Sequence, residues 1–204
     1  MKKIMFNDKY GLTKAVLDGR KTQTRRIVTY PKTFKGEHVA GFHVYKRPTD
    51  GFISEICMYD EDERDFDEGQ IVPKYKIGEI VAIAQGYREI GYTKLDIDNE
   101  CITKVGLDNK MFVKSELMPH QIHITNVRLQ RLQDISDEDC LAEGIEYIAN
   151  ARAYYVGYNT KTGKRCWLGS TPKKAYAALI DKVSGKGTWD SNPYVWVYEF
   201  KLIK

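Results

Sequence analysis

The chain has 204 residues, 42% hydrophobic and 29% charged, the balance of an ordinary globular protein long enough to bury a core without disulfide or metal staples. No apolar run approaches the roughly 20 residues of a membrane span, and Met1-Lys2-Lys3 leads into no apolar stretch, so neither a membrane anchor nor a secretory leader is expected. The net charge is only +4, yet Lys9 to Arg47 carries ten cations against Asp18 and Glu37, a bias that suits either a polyanionic partner or a solvated face.

In chain order, a first helix is predicted over about Lys9 to Asp18, capped by Asp8, with Leu12, Ala15 and Val16 on one face and Gly19 at its end. Arg20 to Arg26 reads as a polar, basic turn, with a strand opening at Ile27-Val28. Residues 33–74, rich in Gly, Pro, Tyr and acids, read as a hairpin insertion plus a mobile acidic loop around Asp60-Glu61-Asp62-Glu63. Glu79 to Ala84 is a buried strand. Gln121 to Leu132 alternates as a strand should, with a slip near Asn126 that marks a bulge. Ser136 caps a short helix ended by Gly144. Thr171-Pro172 starts an amphipathic helix whose Tyr176, Leu179, Ile180 and Val183 share a face, and Gly185 stops it. A last strand runs from about Val195 to Ile203. Strands outnumber helices, which predicts a mainly β, α+β architecture with about three helices packed outside a barrel or sheet.

Cys57, Cys101, Cys140 and Cys166 are far apart, and His120 with His123 is the single close histidine pair. Neither pattern makes a metal site, so no metal and no cofactor are expected, and the thiols read as those of a reduced, cytoplasmic protein.

The segment richest in chemistry is Gly19-Arg20-Lys21-Thr22-Gln23-Thr24-Arg25-Arg26. Arginines fork onto phosphate oxygens, so Arg20, Arg25 and Arg26 are candidate ligand-binding residues. Crowded like charges disfavour the protonated form of Lys21, making it a candidate general base, with the Thr24 hydroxyl three residues on as its nucleophile. Taken alone, such a basic turn is more often a solvated loop than a site. Aromatics are the other lead. Tyr87 and Trp189 are candidates to stack on a base, Asn192 to read a base edge or simply to turn the chain, and Trp196 to fill the core. Tyr154, Tyr155 and Tyr158 suggest a mobile flap.

That basic segment resembles the GxKxxTxR signature of the ASCH family, whose fold is a relative of the PUA RNA-binding barrel. Lys76-Ile77-Gly78-Glu79 is similar to the family's strand entry. Leu132 to Asp139 with Ala142 to Ile145, and Gly187 to Phe200, resemble blocks of its larger, phage-associated members. The resemblance implies a single PUA-like β-barrel domain over 1–204, with insertions at about 33–74, 91–118 and 149–169. It also implies a cleft that takes RNA or a modified nucleoside. Some small ASCH proteins are amidohydrolases acting on N4-acylated cytidine with a Lys, a Thr and a Glu, which fall here on Lys21, Thr24 and Glu143. Glu143 is either that residue or part of a soluble helix face. Larger members often carry Arg-Glu after the apolar strand, where this chain has Ala84-Gln85. Two readings stay open, a binding module without catalysis and a nucleoside amidohydrolase.

Overall fold

The computed structural model describes residues 1–51, 53–92, 106–158 and 165–203. Parts of two expected insertions, 93–105 and 159–164, lie outside the described residues, and Cys101 with them. Strand β1 (Lys3–Ile4) leads through a 3-10 turn, Asp8–Tyr10, into α1 (Leu12–Leu17). The single helix expected there is broken by Gly11, whose φ of 65° is a left-handed conformation that glycine adopts without strain. Asn7 caps the turn by accepting from the Lys9 amide, while Asp8 accepts from the Thr13 hydroxyl.

The next strand, β2 (Gln23–Ile27), begins four residues before the predicted position, because its polar residues pair with the C-terminal strand. Then follow β3 (Thr33–Phe34) and β4 (Glu37–His38) as a hairpin, and β5 (Gly41–Lys46), β6 (Ile53–Tyr59) and β7 (Asp65–Gln70) as a separate antiparallel sheet. The acidic segment expected to be mobile is a tied turn. The Asp60 carboxylate accepts from the amides of Asp62 and Arg64 and pairs with the Arg64 guanidinium.

The rest of the chain is β8 (Ile80–Ile83), β9 (Gln121–Arg131), α2 (Asp137–Ala142), β10 (Ile145–Ile148), β11 (Ala153–Tyr158), β12 (Arg165–Gly169), α3 (Pro172–Ser184), α4 (Thr188–Ser191) and β13 (Tyr194–Ile203). The two sequence-level caps are present, with Ser136 accepting from the Asp139 amide and Thr171 from the Lys174 amide. The described residues thus hold four helices, one more than expected. Tyr154 and Tyr155, read as part of a flap, lie in β11 of a three-stranded sheet, β10-β11-β12.

The main sheet has the order β1-β8-β9-β13-β2, with β1 parallel to β8 and the other pairs antiparallel. The protein is mainly β with helices, as expected, and no closed barrel is found among the described residues. No ladder joins β1 to β2 among the described residues, since β1 spans only two residues. Instead a side chain links the edges: Arg26 on β2 donates to the Met5 carbonyl just past β1 at 2.5 Å. The predicted slip lies opposite the Glu199–Phe200 step, where β9 fits Thr125 as an extra residue between Ile124 and Asn126. The core joins Val81, Ile83, Ile122, Ile124, Val197 and Phe200 of this sheet to Val16, Cys140, Tyr176 and Leu179 of the helices.

Register decides what each face offers. Arg25, Val197 and Arg128 form one row across β2, β13 and β9, and Arg26, Trp196 and Leu129 form the next. Successive residues of a strand point to opposite sides, so the row of Arg25 faces α2 and the row of Arg26 lies on the reverse face.

Candidate functional site

Lys21 follows the end of α1 and is only 2% exposed. Its neighbour Thr22 is held from both sides, its amide donating to Ala142 and its carbonyl accepting from Phe200. Gly144 lets the lysine pass: φ is 95° there, and a Cβ would lie 3.3 Å from the Cβ of Lys21. The Lys21 ammonium donates to the Glu143 carboxylate at 2.5 Å and to the Glu143 carbonyl at 2.9 Å. Its ring neighbour is Phe6, with the nitrogen 5.9 Å from the centroid.

Glu143, at the C-terminus of α2, is itself buried and takes a second cation. Arg25 donates to it at 3.0 Å, to Gln23 at 2.6 Å and to Asp139 at 2.6 Å. Arg128 extends the chain, donating to Asp139 at 2.8 Å and pairing with Glu199. Charges therefore alternate from Lys21 through Glu143, Arg25 and Asp139 to Arg128 and Glu199. Such a network is rigid because each member is hydrogen-bonded, and it is vulnerable to the loss of any one.

Burial is the main cause that holds the Lys21 ammonium below its ordinary pKa. The Glu143 charge opposes this, and Arg26 and Arg25 add to it. The direction agrees with the sequence expectation, but its leading cause is desolvation rather than crowding by like charges. Burial pushes the carboxyl of Asp139 up, and bonds from Gln23 and Arg25 with the charges of Arg25 and Arg128 outweigh it, leaving the group below the usual range. Burial raises the Tyr176 phenol well above its ordinary value, so it stays protonated against the Arg25 guanidinium, 5.8 Å from its centroid.

Lys21, Thr24 and Glu143 line one cleft of about 480 Å³, shared with Arg25, Arg26 and an apolar wall of Phe6, Tyr176 and Leu179. The Thr24 hydroxyl has no hydrogen-bond partner among the described residues. The three residues expected to act together are thus brought to one place. The other candidates divide. Arg26 lines the cleft and has no carboxylate partner among the described residues, its guanidinium lying 6.0 Å from the Phe6 centroid. Arg20 is occupied by ion pairs with Asp18 and Glu146 and does not line the cleft.

Three expected ligand-binding residues are elsewhere. Tyr87 is buried in a small cluster with Ala82, Val113 and Met118. Trp189 packs edge-on against Tyr176, its amide held by Asp181. The Asn192 side chain accepts from the Gln133 amide at 2.9 Å, clasping the chain around α4 rather than offering a base edge. Trp196, expected in the core, is only partly buried. Gln85, standing where the resemblance expects a glutamate, is buried with its carbonyl oxygen lacking a partner among the described residues.

Sequence reasoning missed Asp139, Gln23 and Arg128. The spacing of Asp139 and Glu143, four residues apart on one helix face, was the available signal. Among the described residues no group of three His, Cys, Asp or Glu side chains is arranged to hold a metal, and no helix is long and apolar enough to cross a membrane. Comparison with protein-family models, curated proteins and solved structures found no match to the chain.

Proposed function

We propose that this is an ASCH-type protein of the PUA-like class whose cleft binds a modified nucleoside and hydrolyses its N-acyl group. The observation that carries the reading is the burial of Lys21 against Glu143 in the same cleft as the unpartnered Thr24 hydroxyl. Desolvation makes the neutral amine of Lys21 accessible, and Glu143 is within reach to take its proton. The amine then takes the proton of Thr24, whose oxygen bonds to the acyl carbon. The C–N bond breaks as a proton returns through Lys21 and Glu143 to the departing amine. Water hydrolyses the resulting threonyl ester, releasing the acid and restoring the hydroxyl.

The competing reading, a purely basic cleft gripping RNA phosphates, is weakened at this cleft because Lys21 and Arg25 are both neutralised by acids and Arg20 lies outside it. An uncharged nucleoside suits such a balanced site better. The test is release of cytidine from N4-acetylcytidine by the whole chain, beside Lys21→Ala and Thr24→Val. Turnover lost by at least a hundredfold in both, with Thr24→Val folded, is expected. A folded wild type without turnover on any N4-acylcytidine, or full activity in Thr24→Val, overturns the reaction.

A further inference from the structure

The cleft does not end at Arg26. Arg26 and Thr29 also line a second cavity of about 420 Å³, and Trp196 and Val72 are shared between that cavity and a third of about 760 Å³. The three form one trough. It runs over the sheet face that bears Thr24, Arg26 and Trp196, and the inserted residues Ile71 to Pro73 border it. Arg128 of the buried network borders the third cavity, but four other cations of the trough stand outside that network. Arg26 and Lys74 in the second cavity, and Lys46 and Arg131 in the third, have no carboxylate partner among the described residues. Lys3 borders the second cavity too, but its ammonium donates to the carbonyls of Lys110, Met111 and Val113. Among the described residues, the second cavity has no acidic residue in its lining, and the third has only Glu55 and Asp134.

Aromatic surfaces punctuate the same path. Trp196 stands between the second and third cavities, and Tyr194, two residues away on the same face, carries the Arg131 guanidinium 3.8 Å from its ring centroid. A guanidinium plane and an indole are both surfaces on which bases stack, while the charge of Arg131 and the unpaired Lys74 and Arg26 beyond Trp196 meet the phosphates.

We propose that this trough is the path of a single-stranded oligonucleotide, which threads past Arg131, Trp196, Lys74 and Arg26 and delivers one nucleoside to the Lys21–Thr24–Glu143 cleft. The inference deepens the nucleoside reading of the cleft and rests on it for the identity of the delivered unit. A duplex has its bases stacked on one another, so neither Trp196 nor Arg131 would find a free base face.

The experiment is anisotropy of a fluorescein-labelled oligocytidylate with the whole chain across a salt series, in the wild type and in Lys74→Ala, Arg131→Ala and Trp196→Ala. Lys74 and Arg131 are exposed, so their loss leaves the fold intact. Three phosphate contacts predict a slope of log K on log salt of about −2, reduced by about 0.7 in each cation variant. Trp196→Ala should weaken binding roughly tenfold at constant slope. Equal affinity for a duplex of the same sequence, unchanged slopes in both cation variants, or no binding at low salt overturns the path. Oligonucleotide binding without deacylation leaves the path standing and removes the reaction. Deacylation of free N4-acetylcytidine without oligonucleotide binding does the reverse.

Discussion

Glu143→Gln is the sharpest perturbation of the buried network. The carboxylate receives Lys21 on one oxygen at 2.5 Å and Arg25 on the other at 3.0 Å, with Lys21 2% and Glu143 4% exposed. A glutamine keeps an acceptor for Arg25 but turns its amide donor toward the Lys21 ammonium. Removing one partner of a buried pair costs about 3–5 kcal/mol. Arg25 retains Asp139 and Gln23, so the loss near neutrality belongs at the lower end, about 3 kcal/mol. The sign with pH follows from Lys21. Its folded pKa already lies below the ordinary 10.5 through burial, and Glu143 is the chief charge opposing that shift. Without Glu143 the folded pKa falls further. Between the variant's value and the wild type's, the folded variant has shed a proton that the wild type still holds. The stability gap therefore narrows as pH rises through that window, by up to about 1.4 kcal/mol per unit. Urea unfolding of both proteins from pH 6 to pH 9 measures it. A loss under 1 kcal/mol at every pH, or a gap that stays constant or widens, would refute the view of Lys21 as a desolvated cation compensated by Glu143.

Gly144→Ala places a Cβ 3.3 Å from that of Lys21 at a backbone φ of 95°, so a loss of about 1–3 kcal/mol is expected, with turnover reduced beyond what the melting shift explains. Chemical denaturation beside single-turnover kinetics checks it. Ser136→Ala removes the cap of α2 and should cost about 1 kcal/mol. Because that helix carries Asp139 and ends at Glu143, amide exchange over 137–143 should accelerate more than elsewhere.

What was legible in the sequence is what depends on neighbours along the chain. The Ser136 and Thr171 caps, the Gly19 and Gly185 stops and the irregularity beside Asn126 are local chemistry, and each is found in place. Lys21, Thr24 and Glu143, expected together from their spacing and from blocks that resemble the family, line one cleft. What failed depends on distant pairing. Arg20 and Arg25 resembled free cations because Glu146, Asp139 and Glu143 lie more than a hundred residues away. Arg25 is a strand residue because β13 pairs with it, which no property of the basic segment announces. Tyr87 and Trp189 are ring types on which bases stack, and Asn192 is a type that reads a base edge. Tyr87 is buried beside Val113, Trp189 packs on Tyr176, and Asn192 accepts a hydrogen bond from the Gln133 amide.

The small sheet of β5, β6 and β7 shares no ladder with the main sheet among the described residues, and it meets that sheet through side-chain contacts such as Phe42 against Tyr194. Its backbone hydrogen bonding is self-contained, so its sequence can drift, lengthen or be exchanged without disturbing the register that aligns Thr24 with Tyr198. Lys21 and Glu143 are anchored at the ends of α1 and α2, with neither of which β5, β6 and β7 form a ladder. Selection can thus alter this small sheet, which borders the third cavity, without moving the Lys21–Glu143 pair, which makes it the natural place for divergence among proteins built this way.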